Sequence, residues 1–233
     1  TPTVKGALEA ATLVKEVGYI ITVMGGVHMA IFAKETLTYD CIDFGIVGEG
    51  EESMVEFCNA IENNESYEQI NGLCYQKEDQ IHVGHSRIVT DVNTLPMPSY
   101  HLLPMEKYSS IIGLHPTSTM MGSRGCPYKC GFCFKTPSDK EYRVRDVEMI
   151  VDEIEYLIEY HGLKEIMFYD DILPKDYARA LSNQAKIVIL VDERVNWAEN
   201  AERGCCYRNG LQKISISSNP SSETVEYSRA RRF

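Results

Sequence analysis

No run of apolar residues in this 233-residue sequence approaches the ~20 needed to cross a bilayer as a helix. No membrane partner is therefore expected. There is no surplus of positive charge either: 23 Lys and Arg stand against 34 Asp and Glu, a formal net charge of −11. Tight binding to nucleic acid draws on counterions released by a basic face. The one dense basic cluster here is Arg229, Arg231 and Arg232, so nucleic acid is not an expected partner. The opening Thr1-Pro-Thr-Val-Lys5 lacks an initiator Met and the pattern of a signal peptide, which reads as an internal starting point. The eight cysteines lack the even, loop-rich spacing of a secreted disulfide scaffold. Cys41, Cys58 and Cys74 occur singly and Cys205 and Cys206 are adjacent, so a reducing, cytoplasmic setting is expected.

What is present suffices for a folded core: 44% of residues are hydrophobic and 24% charged, so neither disulfide nor metal is needed to hold the chain together. Residues 4–17 place Val4, Ala7, Leu8, Ala11, Val14 and Val17 on one helical face. Tyr19–Met24 is a β-rich run ending in Gly25-Gly26, and Ile42–Val47 is a second one ending in Gly48-Glu-Gly-Glu51. Residues 52–62 are again helical. Helices alternating with short apolar strands imply a parallel sheet, with Gly-rich turns beyond the strand ends, where such sheets take ligands. Asn71–Val89 reads as a small hairpin, and 91–116, with Pro96, Pro98 and Pro104, as a linker. The second unit, 117–233, opens with a strand over Thr117–Met121. A strong amphipathic helix follows over 146–161, with Val147, Ile150, Val151, Ile154, Leu157 and Ile158 on one face, Asp146 as its cap and Gly162 as its stop. Strands are expected over Lys164–Tyr169 and Lys213–Ser217; Lys186–Val191 has the composition of a strand but is also compatible with the end of a helix that begins near Lys175.

Between the first strand and this helix the sequence reads Ser123-Arg-Gly-Cys126-Pro-Tyr-Lys-Cys130-Gly-Phe-Cys133, a C-x3-C-x2-C spacing. Thiolates are soft ligands that select zinc or iron–sulfur clusters. A structural zinc wants four ligands, and the three thiols have no fourth Cys or His close by. A 4Fe–4S cube held by three cysteines would keep one iron open. Gly125 and Gly131 let the backbone bring N–H groups near the sulfurs. A zinc site completed from afar, by Cys205 for example, and three unligated thiols are also compatible with the spacing.

The cysteine loop at the end of a first strand, followed by Tyr142-Arg-Val-Arg145 and a helix, resembles the radical SAM superfamily. Gly25-Gly-Val-His28, Gly48-Glu-Gly-Glu51, Leu95-Pro-Met-Pro98 and Phe168-Tyr-Asp-Asp171, in that order, resemble its subclass with a cobalamin-binding domain. The resemblance implies an α/β chain: an incomplete Rossmann-like cobalamin-binding-type domain over 1–90, then a partial (β/α) radical SAM barrel over 117–233. It implies that Cys126, Cys130 and Cys133 ligate a 4Fe–4S cluster whose open iron binds S-adenosylmethionine (SAM). Phe132 would lie beside the adenine, and Asp170 and Asp171 would contact SAM. Gly25, Gly26, His28, Gly48 and Glu49 would face cobalamin. The implied chemistry is reductive cleavage of SAM to a 5′-deoxyadenosyl radical, with cobalamin-dependent methyl transfer favoured, on a small-molecule substrate. The implied electron donor is a protein such as flavodoxin or ferredoxin.

Three features depart from the pattern. Asn219, with Pro220-Ser221, stands where the family carries a Glu that contacts SAM, and a neutral amide supplies no charged acceptor. No Asp-x-His-x-x-Gly sequence occurs. The resemblance also places the domain's first strand before residue 1 and the last barrel strands after 233, so truncation at both ends is expected. An alternative reading follows: a non-catalytic iron–sulfur or zinc-binding module derived from such an enzyme.

Overall fold

The computed structural model describes residues 2–109, 115–128, 130–131, 133–136, 140–172, 188–190 and 212–215. The chain divides into two compact units, Thr1–Asp91 with Phe132–Glu141, and Val92–Gly131 with Tyr142–Phe233.

The first unit is a three-layer α/β/α arrangement. Its sheet has the order β1 (Val23–Met24), β2 (Phe44–Ile46), β3 (Leu73–Lys77), β4 (Gln80–Val83). β1 and β2 are parallel, as alternating helices and strands imply, while β3 and β4 add the expected hairpin antiparallel to β2. The hairpin turns through Glu78 and Asp79, both with positive φ, the backbone twist that suits a two-residue connection. Successive residues of β3 point to opposite faces. Cys74 joins Met29, Ala33 and Leu37 on the side of helices α1 (Val4–Val17) and α2 (Val27–Thr36). Leu73 and Tyr75 join Ile46 and Phe57 on the side of α3 (Glu51–Asn63). Gly45 lets β2 and α2 approach closely, since a Cβ there would overlap the Met29 side chain.

Helix α1 has the expected bounds, but only part of its apolar face is covered. Val4, Leu8, Ala11 and Val14 are half-buried, while Ala7 and Val17 are exposed. The expected strand over Tyr19–Met24 shrinks to two residues. The Thr22 N–H donates to the Asp43 carboxylate rather than to a ladder, and Tyr19 is fully exposed. Apolar composition marks residues able to form a strand, but a strand also needs a neighbour in register.

In the second unit β5 (Thr117–Met120) pairs in parallel with β8 (Glu165–Phe168), and helix α4 (Val147–His161) connects them in sequence. The expected stripe of α4 is the core: Ile150, Val151, Ile154 and Leu157 are buried with Met120, Ile166, Phe168, Tyr100 and Met105, and Val147 and Ile158 pack at its margin. Gly162 ends the helix in a left-handed conformation, as expected. Asp146 stands at the N-cap position but makes no side-chain cap; its own N–H donates to Asn93 Oδ1 at 2.8 Å. The preceding segment thus meets the start of the helix through Asn93; its described residues include three 3-10 turns at Val92–Thr94, Tyr100–Leu102 and Met105–Lys107. Strands β9 (Val188–Leu190) and β10 (Gln212–Ser215) lie where composition indicates them. The sheet order is β5-β8-β10-β9, and β10 is antiparallel to both neighbours. Composition marks a strand without fixing its direction, so this arrangement is outside what the sequence pattern conveys.

Candidate functional site

The cysteine loop leaves and re-enters the second unit through a short two-stranded ladder. β6 (Ser123–Arg124) pairs antiparallel with β7 (Arg143–Val144), Ser123 opposite Val144 and Arg124 opposite Arg143. This neck follows directly on β5, so the loop rises from the carboxyl end of a strand, the side of a parallel α/β sheet that builds sites.

Asp170, just past β8, holds the neck. Its Oδ2 accepts the Gly122 N–H at 3.0 Å and its Oδ1 accepts the Ser123 hydroxyl at 2.5 Å. Burial pushes the Asp170 carboxyl above its ordinary value, against the hydrogen bonds from Ser123 and Gly122 that favour the ionised form. Its neighbour Asp171 is exposed. The Tyr142 hydroxyl donates to the Ile172 carbonyl at 3.3 Å. Burial raises the Tyr142 phenol, and Asp170 and Cys126 push the same way against a hydrogen bond with Ser123.

A second set of contacts reaches the neck from α4. The Arg145 N–H donates to the Gly122 carbonyl at 2.9 Å and its guanidinium to the Met121 carbonyl at 3.3 Å. The same guanidinium meets Glu153 Oε2 at 2.6 Å, and the Tyr100 hydroxyl donates to Glu153 Oε1 at 2.5 Å. Glu153 is only 1% exposed, and these two partners occupy both of its carboxylate oxygens. Burial, with the adjacent Glu153 carboxylate, drives the Tyr100 phenol far upward.

Cys126, Cys130 and Cys133 are half-buried and form no disulfide, on a stretch whose described residues form no helix or strand; the first two belong with the second unit and Cys133 with the first. Among the described residues, no three His, Cys, Asp or Glu groups are gathered closely enough to hold a metal ion. The donor set nevertheless fits an iron–sulfur group: three soft ligands, none committed to a disulfide, within one irregular loop. Phe132 and Asn219 lie outside the described residues.

In the first unit the expected cofactor residues divide into two kinds. Gly25 is exposed, and Gly26, with φ +85°, leads into α2, where the half-buried His28 ring lies 5.2 Å from Phe32. Gly48 and Glu49 are engaged within the fold. The Glu49 N–H donates to the Arg87 carbonyl at 2.9 Å, and its carboxylate accepts the Val89 N–H at 2.7 Å. Arg87 in turn meets Glu52 at 2.5 Å and Glu56 at 2.8 Å.

Sequence reasoning did not single out Gly122, Ser123, Tyr100 or Glu153. Only Glu153 carried a signal: an acid three residues after Ile150 and four before Leu157, on the apolar stripe of α4.

Fold and site together define an α/β protein that carries a three-thiol loop at the carboxyl end of the first strand of its second unit. Residues 120–228 match the family described as the radical SAM superfamily, and the chain belongs to that superfamily. It is 34% identical over 171 residues to an uncharacterized methyltransferase of Pyrococcus horikoshii, covering 72% of this chain and 37% of that protein. It is 29% identical over 185 residues to the anaerobic magnesium-protoporphyrin IX monomethyl ester cyclase of Rubrivivax gelatinosus, covering 73% of this chain and 32% of that one. This chain thus spans about a third of the length of these relatives. Among solved structures, the cobalamin-dependent SAM radical enzyme OxsB, with aqua-cobalamin and SAM bound, superposes with a TM-score of 0.61 at 19% identity, over 78% of this chain and 27% of that one. The radical SAM methyltransferase TsrM of Kitasatospora setae, with cobalamin and a 4Fe–4S cluster bound, gives 0.58 at 19% identity, over 78% and 36%. At that identity the likeness establishes the fold. Among the described residues no helix is long and apolar enough to cross a membrane.

Proposed function

We propose that this chain is the part of a radical SAM enzyme that holds the iron–sulfur cluster and SAM. The observation that carries the reading is the set of three half-buried cysteines, none in a disulfide, on the loop between β6 and β7, in a chain of this superfamily. Cys126, Cys130 and Cys133 would hold a 4Fe–4S cluster. When bound, such a cluster supplies the electron that cleaves SAM reductively, so the protein's tasks are binding, orientation and exclusion of water. The end of β8, with the acidic pair Asp170–Asp171, would face the SAM amino group and Phe132 the adenine, and Asn219 would stand where the family carries a SAM-contacting Glu. In this reading 1–90 is a cobalamin-binding-type domain, 91–116 a linker and 117–233 the first part of the radical SAM core. The reading includes a small-molecule substrate and an electron-donor protein such as flavodoxin or ferredoxin. Methyl transfer is favoured over ring formation because cobalamin suits the role of methyl carrier.

The test is anaerobic reconstitution with iron and sulfide, followed by EPR of the dithionite-reduced protein with and without SAM. A 4Fe–4S signal that changes on adding SAM is the expected result. A signal indifferent to SAM would identify a non-catalytic iron–sulfur relative. One bound zinc and no visible colour would replace the cluster with a structural metal.

A further inference from the structure

Six hydrogen bonds, four of them described above, converge on one tetrapeptide, Met120–Ser123, and no part of the proposed chemistry accounts for them. The Met120 carbonyl accepts the Tyr169 N–H at 2.9 Å. The Met121 carbonyl accepts the Arg145 guanidinium at 3.3 Å. Both main-chain polar groups of Gly122 are taken, its N–H by Asp170 at 3.0 Å and its carbonyl by the Arg145 N–H at 2.9 Å. The Ser123 hydroxyl lies 2.5 Å from Asp170 Oδ1 and 3.0 Å from the Ile172 carbonyl. Of the two acids at the end of β8, Asp170 therefore has both oxygens engaged inside the protein, whereas Asp171 is exposed.

We infer that Asp170 and the Arg145–Glu153 pair are positioning residues: two carboxylates, one just past β8 and one on α4, that set where the cysteine loop starts and returns. Asp170 acts directly on Gly122 and Ser123. Glu153 acts through Arg145, whose side chain and main chain bridge the outgoing strand at Met121 and Gly122 to the incoming strand at its own position. The physical need is plain. A two-residue ladder contributes few hydrogen bonds, and an irregular loop has a large conformational entropy to lose when three thiols must converge. Charge-assisted bonds are the strong ones available to hold such a neck. Asp171, which none of these contacts uses, is the acid of the pair left to meet a ligand. The inference rests on the reading that this loop carries the cluster, and the experiment separates the two.

Asp170→Asn, Glu153→Gln and Asp171→Asn are compared by hydrogen exchange of the cluster-free protein and by iron content and EPR after reconstitution. Asp170→Asn cannot accept from both Gly122 and Ser123, and Glu153→Gln loses the charge facing Arg145. Each is expected to speed exchange at Gly122, Ser123 and Arg145 by about tenfold or more, with the α3 amides unchanged. Each should also lower iron retained per chain and broaden the cluster signal. Asp171→Asn should leave exchange and iron content at wild-type values while weakening the spectral response to SAM. Wild-type exchange at the neck in both Asp170→Asn and Glu153→Gln would overturn the inference, as would faster exchange with unaltered iron content and line shape. If Asp170→Asn accelerates α3 equally, the milder Ser123→Ala decides by the same local criterion. Failure of the wild type to take up iron would refute the cluster reading, and the exchange data alone would then decide whether the neck is locked.

Discussion

Gly48 shows how far one residue can be read. Its φ of +88° lies in the left-handed region, and a Cβ would overlap the Arg87 backbone, with which it forms a parallel bridge. Gly48→Ala is expected to lose about 2–4 kcal/mol in urea unfolding, the sum of left-handed strain and steric overlap. Asp43 offers a test of pH dependence. Its carboxylate accepts from Lys15 at 2.5 Å and from the Thr22 N–H at 2.7 Å. Burial works against ionisation there, but Lys15 and Thr22 more than offset it and hold the carboxyl below its ordinary value of 3.8. Because the folded state binds its proton less readily than the unfolded chain, the contribution is complete above 3.8 and fades as pH falls through the lower folded value. The stability gap between wild type and Asp43→Asn, measured by urea unfolding, should therefore shrink between pH ~5 and pH ~2.5. A gap that does not change with pH would show that Asp43 acts by packing alone.

Among the elements, α4 is the one whose sequence and structure agree most closely. An apolar stripe at helical spacing needs only one sheet face to cover it, and β5 and β8 provide one. Ile154 is fully buried there, and Ile154→Ala should cost about 3 kcal/mol, read from the urea midpoint at constant slope. Glu153, on the same stripe, looks like an error in the pattern until its partners are seen. Tyr100→Phe keeps the ring in the core but leaves Glu153 Oε1 without its 2.5 Å donor. A loss of about 1–3 kcal/mol is expected, and an unchanged midpoint would show that water or Arg145 takes over. At the other extreme, the short strand at Val23–Met24 and the uncapped Asp146 were misread from sequence. The strand stops short where the Asp43 carboxylate takes the Thr22 N–H, a contact across 21 residues of sequence that no local pattern conveys.

For the molecule as a whole, Gly48 and Glu49 bear on what the first unit can hold. Because Gly48 packs on Arg87 and Glu49 is bonded to Val89, residues 1–233 alone are expected to release hydroxocobalamin on desalting. Stoichiometric retention of its absorbance would show that Gly25, Gly26 and His28 suffice. The thiol spacing, the amphipathic stripe of α4, the hairpin and the strand–helix alternation were all legible in the sequence, because each is a local pattern set by residue type and period. The membership of Asp170 and Glu153 in the neck of the cysteine loop, and the antiparallel placement of β10 between β8 and β9, were not. Sequence alone determined the helices α1, α3 and α4 and which residues offer soft ligands. Tertiary structure alone decided which of two adjacent aspartates turns inward, because that depends on backbone N–H groups 48 residues away that only the packed strands bring within reach.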